Sequence, residues 1–156
     1  MKTIGSFLAI FILSSLQVTL ASEIKMKNIS FPGTTKPKFE KIGNDDFTQH
    51  FSVSASYKVE VELEQDIPRN TAHNVRAYAI VKNEKVSLGD ARIGRAKSSG
   101  HVFVSFYIFP SSAKHFGPCS ISIVVDADDE ISEDDESLQS NEWKFPATIH
   151  RPGENF

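Results

Sequence analysis

Residues 119–143 read CSISIVVDADDEISEDDESLQSNEW. Cys119, Ile121, Ile123 and Val125 alternate with Ser120 and Ser122, the period of a strand with one apolar and one polar face. Eight carboxylates then fall between Asp126 and Glu136, with no Lys or Arg among them. On the far side Trp143, Phe145, Ala147 and Ile149 alternate with Lys144, Pro146 and Thr148. Two alternating runs around a polar loop predict a long hairpin whose strands each bury one face. Pro146 cannot donate to a ladder, so the closing strand is expected at a sheet edge or bulged there.

Upstream the same period recurs. Phe51, Val53, Ala55, Tyr57, Val59, Val61 and Leu63 alternate with Ser52, Ser54, Ser56, Lys58, Glu60, Glu62 and Glu64. A helix would mix those two sets on every side, so the run predicts one long strand over 51–63. A second strand is expected at about 75–82. A turn at Asn83-Glu84-Lys85 leads into Val86 and Leu88, and a short strand follows near 91–93. His101 to Phe109, HVFVSFYIF, is hydrophobic on both faces. It predicts a central strand covered on both sides; the sharper alternative is an exposed aromatic patch at Phe103, Tyr107 and Phe109 that marks a partner site.

The N-terminal 48 residues are of a different kind. Met1-Lys2, the apolar run Ile4 to Leu16 and the small residues around Thr19-Leu20-Ala21 predict a signal peptide over 1–21, with the mature chain starting at Ser22. An uncleaved anchor is the alternative. No Cys follows the cleavage region, which argues against a lipid anchor. Residues 22–48 form a Lys-rich segment in which Ile24 and Met26 suggest a short first strand. From Phe31 to Asp46 turn signals dominate, which reads as loop or irregular edge. Asn28-Ile29-Ser30 matches a glycosylation sequon, a short pattern with little weight alone.

Six or seven short strands with no helical period predict an all-β fold: an antiparallel Ig-like sandwich of about seven strands over 49–150, with a tail at 151–156. Cys119 is the only cysteine, so the core must hold the domain without an internal disulfide. In register with Ile121, it reads as a small core residue; an intermolecular disulfide is the alternative.

The hairpin resembles the closing hairpin of CARDB domains (cell adhesion related domain found in bacteria). Val125-Asp126 ends the strand, Asp128-Asp129 form the turn, and Ile131 is the apolar residue. Glu133, Asp135, Glu136 and Ser137 match the acidic box. Leu138-Gln139 stands where that family has a pair of Asn, with a single Asn141 following. The resemblance implies an Ig-like or fibronectin-like module linked to cell-surface adhesion.

Eight crowded carboxylates repel unless they are solvated, paired or bound to a cation. Three readings follow: a solvated loop, a calcium site, or a docking surface for a basic partner. Calcium takes six to eight oxygens, and Asp126, Asp128, Glu130, Glu133 and Glu136 are the candidate ligands. The sixth position of the loop is Ile131, not Gly, so it is no EF-hand. Removing the loop's eight acids leaves the rest of the mature chain net basic, but with its Lys and Arg scattered. That excludes the basic stripe of a nucleic-acid binder.

His50, His73, His101, His115 and His150 stand apart, with no metal-ligand spacing. There is no GxSxG and no phosphate loop, and a cysteine in an apolar strand is not an activated nucleophile. The sequence therefore predicts no enzyme. It predicts an exported protein, secreted or periplasmic, with no membrane span after cleavage. Its partner is a protein or glycan outside the cytoplasm; the alternative is a structural or assembly component of an envelope complex.

Overall fold

The computed structural model describes residues 23–43, 46–66, 72–94, 100–128 and 141–156. The signal-peptide reading and residues 129–140 of the acidic loop lie outside them. Nine strands run in chain order: β1 (Glu23–Ser30), β2 (Lys38–Lys41), β3 (Phe47–Ser52), β4 (Tyr57–Asp66), β5 (His73–Val81), β6 (Glu84–Ile93), β7 (Gly100–Ile108), β8 (Gly117–Val125) and β9 (Glu142–His150). A 3-10 turn at Pro110–Ala113 separates β7 from β8. They form two sheets, a small one in the order β1-β4-β7 and a large one in the order β2-β3-β9-β8-β5-β6. The expected all-β sandwich is present. Its inner faces bury Ile24, Phe51, Val59, Val61, Leu63, Val75, Ile121, Ile123 and Ile149.

The alternating run over 51–63 is not one strand. β3 belongs to the large sheet and β4 to the small one, and the chain crosses between them at Val53–Ser56. The alternation survives because both inner faces look onto one core and the crossing keeps residue parity. The crossing is clamped. The Val53 N–H donates to the His150 carbonyl at 3.0 Å, and the Ser52 N–H donates to the Tyr57 hydroxyl at 2.7 Å. Tyr57 is buried, and desolvation raises its pKa despite that bond. Tyr57→Phe should cost about 1–2 kcal/mol of stability, read from the urea midpoint with an unchanged m-value, because a backbone donor loses its acceptor.

Other expectations need correction. The 31–46 segment carries a strand, β2, paired antiparallel with β3, and Ile24 of β1 is wholly buried, so residues before 49 build the sandwich. The hairpin turn is Lys82-Asn83, both left-handed with φ 49° and 69°, the two-residue type whose twist matches antiparallel strands. The strand after it extends without a break to Ile93. β9 is interior, flanked by β8 and β3. Pro146 is accommodated because parallel pairing with β3 begins one residue later, at Gln49↔Ala147.

β7 is an edge strand, not a central one. β1 pairs along the far side of β4 and does not lie over the aromatic face. On the β7 side the two sheets close on each other. Tyr78 pairs with Ser87 and Ala77 with Gly89, so Leu88 is an extra residue bulged out of the β5–β6 ladder. Its carbonyl accepts the Phe109 N–H at 2.9 Å. On the opposite side β1 is the outer strand of the small sheet.

Candidate functional site

The acidic hairpin begins with an anchor. Asp126 follows β8 in the left-handed region at φ 54°, a conformation Asp tolerates better than most residues. The Ala127 N–H donates to the Asn74 carbonyl at 3.2 Å. The Asp128 carboxylate accepts from the Asn74 amide and from both Arg76 guanidinium nitrogens, at 2.9 and 3.2 Å. Arg92 holds the Asn74 side-chain oxygen at 3.1 Å. The Asn74 amide, then Arg76, hold the Asp128 carboxyl below the usual range. Of the candidate calcium ligands, Asp126 and Asp128 therefore stand together at the mouth of the hairpin. Glu130, Glu133 and Glu136 lie outside the described residues. A cation at Asp128 has to compete with a bidentate arginine.

The aromatic residues of β7 are in solvent. Phe103 is 63% exposed, Tyr107 53% and Phe109 48%. β4 runs alongside, with Glu62 opposite Phe103, Glu60 opposite Ser105 and Lys58 opposite Tyr107. The Ser105 hydroxyl donates to Glu60 at 3.2 Å and the His101 ring meets Glu62 at 3.1 Å. Lys27 of β1 neutralises Glu64 at 2.5 Å and lowers its pKa. Two exposed aromatics with carboxylates beside them, on a strand whose outer edge has no paired strand among the described residues until β6 closes on it at Tyr107–Phe109, form a surface able to take an extended partner chain.

Sequence reasoning missed one constellation. His50 and His150 stand apart in the sequence, yet the parallel β3–β9 pair brings the His50 Nδ1 within 2.7 Å of the His150 Nε2. Glu40 lies 2.8 Å from the His50 Nε2, Glu154 lies 3.2 Å from the His150 Nδ1, and the Phe156 ring stacks on His150 at 4.1 Å. At that spacing one imidazole nitrogen donates and the other accepts. These contacts fasten the C-terminal tail to the sheet. Among the described residues no three His, Cys, Asp or Glu side chains converge as metal ligands.

Cys119 is partly buried, and desolvation pushes its thiol up to about 11. At pH 8 the native protein should carry on the order of a hundredfold less thiolate than a free cysteine, whose pKa is about 8.5. Iodoacetamide labelling should therefore be slow in buffer and fast in urea. Equal rates would show the thiol to be open to solvent.

No family model matches the sequence, and no curated protein matches it. Among solved structures, a CARDB domain from Pyrococcus furiosus, crystallised in complex with di-metal ions, shares 13% identity, covering 84% of this chain and 96% of that one, with a TM-score of 0.49. A Niemann-Pick type C2 protein from the Japanese carpenter ant shares 12%, covering 79% and 99%, with a TM-score of 0.47. A β-glucosidase from Listeria innocua shares 8% and covers 83% of this chain but 16% of its own, with a TM-score of 0.46. CARDB domains, which the closing hairpin resembles, are thus among the structures similar to this chain. At these values the likenesses are ones of outline.

Proposed function

We propose that the chain is an exported, non-catalytic binding module that takes an extended segment of a partner protein along β7. The carrying observation is the pair Phe103 and Tyr107, exposed on an edge strand with Glu60 and Glu62 beside them. The edge of β7 ahead of its contact with β6 offers main-chain pairing, and alternate side chains of the incoming segment fall on the aromatics. The glutamates favour a segment carrying Lys or Arg, which can also lie over an aromatic face. This surface fits a protein better than a glycan, because few of its groups bond hydroxyls and its pairing groups are backbone.

Affinity capture from native envelope or host-surface extract tests the reading. Wild-type protein should retain a specific partner, and the Phe103→Ser/Tyr107→Ser double substitution should weaken capture about a hundredfold, the scale of two aromatic hot-spot residues. Capture unchanged by the double substitution overturns the site. An oligomer of this chain alone that the same substitutions dissolve would favour the assembly role, with a second copy pairing at the edge.

A further inference from the structure

The open side of the sandwich is the second place where chemistry collects. The large sheet is wider than the small one, so among the described residues part of its inner face has no strand above it. There Phe39, Gln49, Trp143 and Phe145 of the large sheet face Ile29, Ser30 and Phe31 at the end of β1, with Lys36 at the rim, around a cavity of about 400 Å³. Phe39 and Trp143 are exposed, although the alternation of β9 turns Trp143 and Phe145 inward. The Gln49 Oε1 is shielded from solvent and has no hydrogen-bond partner. An amide oxygen buried unpaired costs about 1–3 kcal/mol, and a turn of the Gln49 side chain, which lines the cavity, would present that acceptor to a donor entering there.

We propose that this mouth binds a small amphiphile with a flat apolar body, an N–H or O–H that reaches Gln49, and an anionic group for Lys36. The walls are aromatic or aliphatic apart from Gln49, Ser30 and Lys36, which suits a planar hydrocarbon better than a sugar needing a hydrogen bond at each hydroxyl. The volume is in the range of small-molecule sites, about 300–1,000 Å³, and well short of a protein interface. Lys36 has no ion pair among the described residues, leaving its charge available to the ligand. The site lies at the β1 side of the small sheet, opposite β7, and does not depend on the partner surface there.

Trp143 is the only tryptophan, so its emission reports occupancy directly. The probes are 8-anilinonaphthalene-1-sulfonate, which carries the planar body, the N–H and the anion, and N-phenyl-1-naphthylamine, which lacks only the anion. Both should quench Trp143 emission saturably in the folded protein. Gln49→Met keeps the shape and removes the acceptor; it should weaken both probes about tenfold while the unfolding midpoint holds or rises. Lys36→Gln should weaken the sulfonate alone, by about threefold to tenfold. Equal binding of both probes by wild type and Gln49→Met, or binding that leaves Trp143 emission unchanged, overturns the proposal. So does saturable quenching by neutral oligosaccharides in place of these probes.

Discussion

Replacing Gly89 by alanine should destabilise the protein by about 3 kcal/mol or more and leave little folded material at 37 °C. A Cβ built on Gly89 falls 2.2 Å from the Tyr107 carbonyl oxygen, and both contacts that follow are also β7 backbone, at 3.2 and 3.4 Å. No side chain can swing aside; one strand must move. The residue sits beside the Leu88 bulge, where β6 and β7 close the sandwich, so relief means opening that seam. Gly94→Ala is the control, since its Cβ meets nothing within 4 Å, and it should change stability by no more than about 0.5 kcal/mol. Urea midpoints of the two variants settle the comparison. Equal midpoints would mean that the strands do not approach as described.

The second large effect is expected at Phe51. It is fully buried, and its ring meets Phe31 edge-on at 5.8 Å and Tyr57 edge-on at 4.9 Å. It therefore packs the end of β3, in the large sheet, against the first residue of β4, in the small one. Phe51→Ala should cost about 3–5 kcal/mol, the range for emptying a buried aromatic site that cannot fully collapse. Phe103→Ala, of the same chemistry on the solvent side of β7, should stay within about 0.5 kcal/mol. A thermal melt separates the two at once. Comparable losses would mean that Phe103 is covered.

The contrast between those two phenylalanines shows where sequence reading stops. Alternation correctly places Phe51, Val59, Leu63, Ile121 and Ile123 inward, because a strand's faces are set by local geometry. It does not see that Phe51 and Val59 belong to different sheets, since a parity-preserving crossing leaves no break in the period. Nor does it tell an edge strand from a central one. HVFVSFYIF reads as doubly covered, yet β7 has a neighbour on one side only over most of its length, and that is decided by pairings far along the chain. The acidic hairpin was visible as a hairpin from its residues. That Asp128 is tied to Arg76 and Asn74 was not, because those partners lie 52 and 54 residues away. The open mouth was hidden for the same kind of reason: Trp143 and Phe145 do point inward, and only the narrowness of the other sheet leaves them uncovered.

The parallel contact between β3 and β9 has a kinetic meaning. His50 and His150 are 100 residues apart in sequence, and β3 cannot join β9 until almost the whole chain has been laid down. Antiparallel neighbours such as β5 and β6 close through a two-residue turn; β3 and β9 must close a loop that spans most of the domain, which is entropically the costliest step. The β3–β9 seam should therefore form late in refolding. Pulse-labelled hydrogen exchange should find the amides of β5, β6 and β8 protected while that of Val53, which bonds the His150 carbonyl, still exchanges, and the meeting of two imidazoles would mark completion of the fold.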